Sequence, residues 1–308
     1  MSTPIKHRLP GWFPRILGVS VLLCAFSILP TAGAKESDGR TVKLDLSQQK
    51  AVIESESRAA HRGDKLKIEF DNASHHFLLE YESEDADAKL EAEVKVELFD
   101  LIEWRDSNQN GRYDPEVASE LVQKIGLGDL TPRALERSSV TIAGQEGVKL
   151  VGSTANPSKY PHLKLVLTLY VFGELLKIEQ AEVEPTALKF DILIEGFPFS
   201  ATDTALALHA KSEIESEGKV SGVAGSGEEA IAARVGKFTS FFSWSKTVTV
   251  DGQTKSLQPA VLKEESKSGS QNSLVTELYL LYPRGNSILH DPQLGVRLPA
   301  INSGTGCN

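Results

Sequence analysis

Apolar side chains recur at every second position in several separate segments of this chain. In 65–70, Leu66, Ile68 and Phe70 alternate with charged residues, and 188–195 repeats the pattern. A period of two residues is typical of a β-strand that buries one face. Further strands are predicted from alternating or continuously apolar runs at 77–81, 94–104, 163–172, 204–209, 242–250 and 274–282. The sequence therefore predicts an all-β protein.

The number of strands favours a β-sandwich, either as one large sandwich or as two successive sandwich subdomains, with little helix. The segment 154–161 contains two prolines and is the best boundary between two halves. We therefore expect an N-terminal β subdomain at 35–153 and a C-terminal sandwich at 154–300. A flexible tail is expected at 301–308.

Three local patterns give sharper predictions. The composition of 228–235 favours a short helix, after a glycine-rich loop. In 94–104 the alternation slips by one residue at Phe99, which predicts a β-bulge. Asp251 and Gly252 are predicted to form the turn of a β-hairpin.

The first 34 residues have the three-part pattern of a secretory signal peptide. An apolar run at 16–29 is preceded by three basic residues, Lys6, Arg8 and Arg15, and by no acidic residue. It is followed by the small residues at 32–34. The run is short for a membrane-spanning helix, so we expect cleavage after Ala34 and a periplasmic or extracellular protein. Lipid attachment at Cys24 is the alternative, although Leu22 and Leu23 disfavour it.

Loss of the signal peptide leaves 30 basic residues against 42 acidic ones, a net charge near −12. Such a chain repels nucleic acid and anionic lipid and suits divalent cations. No later stretch is apolar enough to predict a transmembrane helix. Cys307 is then the sole cysteine, so an internal disulfide is excluded, and pairing between chains stays open.

One short segment, 106–116, carries oxygen-bearing side chains at alternate positions. Calcium binds six to eight oxygens, which a chain supplies by wrapping around the ion, with a glycine at the sharp turn. The segment places these groups as Asp106, Asn108 and Asn110 at positions one, three and five, Gly111 at six, the Arg112 carbonyl at seven, Asp114 at nine and Glu116 at eleven. The sequence therefore predicts a calcium loop.

The segment 106–116 resembles the EF-hand loop and the related loops of dockerin-like extracellular repeats, over these residues only. Position twelve is Val117 instead of a bidentate glutamate, so either Glu116 or Glu120 must complete the set of ligands. The flanking segments are typical of strands and not of two amphipathic helices, so we expect the loop to serve a structural role. With Arg105 and Arg112 beside it, we expect a dissociation constant on the order of 10⁻⁴ M. The alternative is a tight two-residue turn at Asn110 and Gly111 that needs no metal.

These features lead to two functional hypotheses. The first is a noncatalytic binding or structural module at or outside the cell surface, with calcium as a rigidifying ion and a carbohydrate or surface protein as a possible partner. The second is a β-sandwich carbohydrate-active enzyme, a lyase or hydrolase, that uses His290, Asp291 or the loop carboxylates near a cleft. A groove with converging His, Tyr, Arg and carboxylate groups would favour the second hypothesis.

Overall fold

The structure of the chain is a computed structural model. The structure describes residues 40–57, 63–85, 88–142, 144–172, 176–178, 181–183, 187–216, 220–224, 230–235, 238–265 and 273–297. The predicted signal peptide at 1–34 and the predicted tail at 301–308 lie outside these residues. All described residues belong to a single compact unit.

The described residues form 23 strands and one turn of 3₁₀ helix at Leu127–Asp129. In chain order the strands are β1 (Arg40–Leu46), β2 (Lys50–Ser57), β3 (Gly63–Asp71), β4 (His76–Asp85), β5 (Ala88–Trp104), β6 (Leu121–Gly126), β7 (Thr131–Pro132), β8 (Glu136–Ile142), β9 (Gln145–Asn156), β10 (Tyr160–Phe172), β11 (Leu176–Ile178) and β12 (Ala181–Val183). The remainder are β13 (Ala187–Glu195), β14 (Ala205–Ser216), β15 (Val220–Ala224), β16 (Ala230–Val235), β17 (Phe238–Ser243), β18 (Thr247–Val250), β19 (Gln253–Ser256), β20 (Gln258–Glu265), β21 (Ser273–Tyr282), β22 (Ser287–His290) and β23 (Gln293–Arg297).

Two antiparallel sheets contain most of these strands. The first sheet has the order β1–β2–β3–β4–β5–β14–β21–β20, with β6 also paired to β5. The second has the order β15–β16–β17–β23–β13–β10–β9–β7, and β8, β18, β19 and β22 branch from it. The strands β11 and β12 form a separate pair. The prediction of an all-β fold is confirmed.

Apolar faces of the two sheets pack against each other, which makes the fold a sandwich. The ring of Phe77 in the first sheet stacks on Phe190 in the second, with centroids 4.2 Å apart. Tyr81 of the first sheet meets Phe238 of the second edge to face at 5.2 Å. Complete burial of a phenylalanine contributes about 2 to 3 kcal/mol, so the alternating positions seen in the sequence supply the core.

Two local predictions are confirmed by the strand register and the backbone angles. His209 pairs with Asp100 while Ala210 pairs with Leu98, so Phe99 is the extra residue of a β-bulge. Asp251 and Gly252 connect β18 to β19, and both have positive φ, at 51° and 75°. This conformation is that of a tight hairpin turn.

The predicted helix at 228–235 is wrong wherever the structure describes it. Residues 230–235 form strand β16, which is paired on one side with β15 and on the other with β17. Ile231 and Ala233 are buried, so the alternation is present, but alanines carry much of it. Alanine favours helices when isolated, and sheet pairing overrides this weak preference.

The prediction of a single strand at 242–250 is also wrong, because residues 244–246 are not in a strand and separate β17 from β18. Strand β17 pairs with β23, whereas β18 pairs with β22 and β19.

The proline-containing segment at 154–161 spans the end of β9 and the start of β10, which pair with each other. In the part of the chain that the structure describes, no helix has the length and apolarity to span a membrane.

Candidate metal centre

The segment predicted to bind calcium lies in the connection between β5 and β6. These strands pair antiparallel, so the connection leaves the first sheet at Trp104 and returns at Leu121. Its two ends are joined by a hydrogen bond from Arg105 N to Glu120 O at 2.9 Å. The connection is therefore a closed loop.

Tyr113 fastens this loop to the sheet. Its side chain is only 4% exposed. Its ring lies 6.0 Å from that of Trp104 and meets Tyr279 edge to face at 5.4 Å. Aromatic pairs in these geometries add attraction beyond the area that they bury, so the middle of the loop is held by packing.

Side-chain oxygens organise the first half of the loop. Asp106 accepts two backbone hydrogen bonds, at Oδ1 from Asn110 N at 3.0 Å and at Oδ2 from Gly111 N at 2.9 Å. Asn108 Oδ1 also accepts from Asn110 N, and Asn110 Oδ1 accepts from Arg112 N at 2.9 Å. The backbone is thus curled around Asp106, and Gly111 supplies the positive φ of 77° that the bend requires.

The simple two-residue turn at Asn110 and Gly111 is not formed. That turn needs positive φ at both residues, but the described residues with positive φ in this loop are Gln109 and Gly111. Asp106 also binds the backbone across five residues. A wrapped loop therefore replaces the tight turn.

The second half of the loop contains a buried carboxylate, Glu120. The residue is 0% exposed, and its Oε2 accepts a hydrogen bond from Asp114 N at 2.7 Å. Its Oε1 is buried and finds no hydrogen-bond partner among the described residues. A buried, unpartnered carboxylate oxygen is costly, so this atom marks where a cation would be stabilised.

The other predicted ligands lie around the same turn. Asp106 and Asp114 are half-buried, whereas the side chains of Asn108, Asn110, Arg112 and Glu116 are exposed. Asp114 Oδ1 accepts from Glu116 N at 3.0 Å. Among the described residues, no three His, Cys, Asp or Glu side chains are grouped as metal ligands. The carboxylates of Asp106, Asp114 and Glu120 are therefore not gathered into one such group, and the amides of Asn108 and Asn110 and the Arg112 carbonyl would have to supply further oxygens.

Glu103, just before this loop, was not predicted to matter. It is 0% exposed and accepts hydrogen bonds from Thr204 Oγ1 at 2.6 Å, from Ser200 N at 2.9 Å and from Ala201 N at 3.1 Å. Burial alone would raise the pKa of Glu103, but these hydrogen bonds outweigh burial and lower it. Its alternation with apolar neighbours gave no signal of this role.

The end of β5 therefore fixes a second loop, at 198–204. Besides the bonds to Glu103, Arg105 Nη2 donates to Asp203 Oδ1 at 2.9 Å. Both side chains of this ion pair are substantially exposed, so it adds little stability. The buried bonds to Glu103 provide the firm connection between the two loops.

His290, which the enzymatic hypothesis invoked, lies in the core. The residue is 0% exposed. Its Nδ1 lies 3.0 Å from the Tyr282 hydroxyl and its Nε2 lies 3.3 Å from the Ser245 carbonyl oxygen. Burial lowers the pKa of His290 to about 4. Both ring nitrogens are occupied, so His290 is not available as a base in a cleft.

No protein-family model matches the chain, and no curated protein matches it significantly.

Proposed function

We propose that this protein is an exported, calcium-binding β-sandwich module with a noncatalytic binding or structural role at or outside the cell surface. The observation that carries the proposal is the unpartnered, buried Oε1 of Glu120 beside the loop at 106–116. A calcium ion would supply the positive charge that this oxygen lacks. The basic and apolar pattern of residues 1–34 supports export.

The proposed ligands follow the wrapped loop. Asp106, Asn108, Asn110, the Arg112 carbonyl and Asp114 provide the side and main-chain oxygens, and Glu120 completes the set. Each carboxylate oxygen has spare lone pairs, so Asp106 can bind an ion and still accept its hydrogen bonds from Asn110 and Gly111. Glu116 is the less favourable closing ligand because its side chain is exposed.

The proposed role of the ion is structural. Tyr113 already packs on the sheet, so calcium would fix the remainder of a loop whose shape is largely formed. Glu103 and Arg105 connect the start of this loop to 198–204. Calcium would therefore rigidify two neighbouring loops at one end of the first sheet, without any change of fold.

Thermal unfolding with calcium and with a chelator tests this proposal. A ligand that binds only the folded state stabilises it by about 2.7 kcal/mol at a hundredfold excess over its dissociation constant. We expect the unfolding midpoint to rise by about 5 °C or more. Asp106→Asn keeps one hydrogen-bond acceptor but removes the charge, so its midpoint should respond little to calcium.

The matched control is Asp45→Asn, which removes an exposed carboxylate on the edge strand β1. This variant should respond to calcium as the normal protein does. Equal responses in Asp106→Asn and the normal protein would reject the loop as the calcium site. A normal protein that does not respond at all would reject calcium binding.

A further inference from the structure

A cleft opens at one end of the second sheet, and none of its lining residues is a proposed calcium ligand. It has a volume of about 600 Å³, which is within the range of small-ligand sites. Its walls are the start of β10 at 160–162, the loop at 196–199 after β13, the β18 turn at Asp251, and 284–286 between β21 and β22.

Sheet pairing explains why these separate segments meet. Lys164 of β10 pairs with Glu195 of β13, which in turn pairs with Ser287 of β22. Ile288 of β22 pairs with Val250 of β18. Four adjacent strands therefore end side by side, and the turns beyond their ends enclose the cleft.

Main-chain contacts hold the cleft in shape. Gly196 N donates to Asn286 O at 2.8 Å. Asp251 Oδ1 accepts from Asn286 N and from Ser287 N, each at 2.9 Å. A Cβ atom on Gly196 would lie 2.1 Å from the His162 carbonyl oxygen, so glycine permits the close approach of two walls. A preformed site loses little entropy when a ligand binds.

Arg284 supplies a fixed cationic group. Its guanidinium lies 4.1 Å from the centroid of the Phe199 ring. Its Nη1 donates to Thr204 Oγ1 at 2.9 Å and also to the Ala201 carbonyl oxygen. The Glu103 carboxylate accepts hydrogen bonds from the same two residues. Arg284 thus uses two hydrogen bonds to hold the loop that contains Ala201 and Thr204. A guanidinium has five N–H groups in all.

The charged side chains of the cleft limit the net charge that its ligand can carry. Asp251 and Arg284 carry opposite charges that sum to zero, so these two side chains do not favour a ligand with a net charge of either sign. Around them lie the exposed side chains of His162 and Asn286 and the half-buried ring of Tyr160. Hydroxyl groups both donate and accept hydrogen bonds, and sugar rings also present apolar C–H faces that suit aromatic and proline side chains.

We infer that this cleft binds a neutral oligosaccharide. Asp251 is the one carboxylate among the described residues that line it, whereas glycoside hydrolysis ordinarily uses a pair. The cleft does contain the types of group named above for the enzymatic hypothesis, in Tyr160, His162, Arg284 and Asp251. Among the described residues it lacks the carboxylate pair of ordinary glycoside hydrolysis, so we infer binding and not hydrolysis. This inference goes beyond the proposed calcium site, because none of the lining residues is a proposed calcium ligand.

Binding is tested by ligand-observed NMR and calorimetry with defined probes, in buffer that contains calcium. The neutral probes are cello-, xylo-, manno- and maltohexaose; the charged probes are hexagalacturonate and a chitosan hexamer. We expect saturable binding of at least one neutral hexasaccharide, and weaker binding or none for both charged probes. Failure of every neutral probe, or preferential binding of a charged one, would overturn the inference.

Two variants then locate the site. His162→Ala and Asn286→Ala each shorten an exposed side chain in the cleft, so neither should impair folding. Each should weaken binding by about tenfold, as expected for loss of a good polar contact. Arg137→Ala, an exposed site on β8 outside the cleft, should bind as the normal protein does. Unchanged affinity in both cleft variants would also overturn the inference.

Calcium titrations keep this result separate from the proposed function. The cleft variants should retain the calcium response, since they leave 106–120 intact. Asp106→Asn should retain oligosaccharide binding when it is folded. Failure of the sugar probes alone would reject the cleft ligand, and failure of the calcium response alone would reject the metal proposal.

Discussion

Glu120 Oε2 accepts a hydrogen bond from the backbone N–H of Asp114 at 2.7 Å, across six residues of the loop. Two main-chain bonds, from Val117 N to Asp114 O and from Glu120 N to Val117 O, tighten the turn between them. These contacts bring the buried carboxylate of Glu120 next to Asp114, the ninth residue of the proposed calcium loop. From sequence spacing, Glu116 is included among the predicted ligands, and Glu120 is the alternative closing ligand.

The first prediction concerns these two glutamates. Glu120→Gln keeps an acceptor for Asp114 N but removes a negative charge, so calcium affinity should fall by at least about tenfold. Glu116→Gln removes the charge of an exposed side chain and should change the affinity by less than about twofold. Calorimetric titration of both variants measures the difference. The reverse order would assign the closing role to Glu116.

The second prediction is that Glu103 stabilises the fold through its hydrogen bonds. Glu103→Ala leaves the N–H groups of Ser200 and Ala201 and the Thr204 hydroxyl without their acceptor. Unfolding in urea should show a loss of about 3 kcal/mol. A change below about 1 kcal/mol would mean that water replaces the carboxylate without cost.

Glu103 should also contribute to acid sensitivity. Its pKa in the folded protein lies below its usual value of 4.5, so its stabilising effect is complete above that value. The effect is lost as pH falls through the lower folded pKa, because protonation then removes the acceptor charge. Glu103→Gln should accordingly lose less stability than the normal protein below about pH 4.5.

The third prediction concerns His290, whose pKa falls from 6.5 to about 4 because the ring is buried. Below pH 6.5 the His290 side chain is protonated in the unfolded chain but stays neutral in the folded protein. The free energy of unfolding therefore falls as the pH is lowered, until the pKa of the folded protein is reached. From about pH 7.5 to about pH 5 the loss attributable to this residue is about 2 kcal/mol.

The matched variant for this test is His290→Asn, which keeps a polar group near the Tyr282 hydroxyl. Urea unfolding at both pH values should show that its pH dependence is smaller by about 2 kcal/mol. His75, whose pKa burial also lowers to about 4, is present in both proteins and cancels from the comparison. Identical pH dependence in the two proteins would contradict the burial of a neutral His290.

The fourth prediction tests the close approach at Gly196. Its φ is 63°, and an added Cβ would lie 2.1 Å from the His162 carbonyl oxygen. Gly196→Ala should therefore destabilise the protein by more than about 2 kcal/mol. Gly128→Ala has no neighbour within 4 Å of the added atom and should change stability by less than about 1 kcal/mol. Equal effects in denaturation would contradict the packing at Gly196.

Most strands could be predicted from the sequence because their signal is local. The alternation at 188–195 becomes β13, with Phe190 and Ile192 in the core. The slip at Phe99 is likewise visible as a break in phase and becomes the bulge in β5. Alternation fails as a predictor in β16, where alanines make the two faces alike in size and mask the period of two residues.

The sites were harder to predict because they depend on residues that meet only in the fold. His162, Gly196 and Asn286 are adjacent because β10, β13 and β22 are neighbours in the sheet, and no sequence spacing encodes this arrangement. Glu103 resembles any polar residue on a strand until its partners at 200–204 are known. The oxygen-bearing groups at 106–116 are contiguous, so the sequence alone predicts a loop there, whereas the burial of Glu120 follows only from the fold.

Calorimetric titration of calcium into the purified protein, beside Asp106→Asn, tests the central claim most directly. The account predicts a single site in the normal protein with a dissociation constant on the order of 10⁻⁴ M, and an affinity at least about tenfold weaker in the variant. No saturable binding of calcium to the normal protein, or equal binding to both proteins, would contradict it.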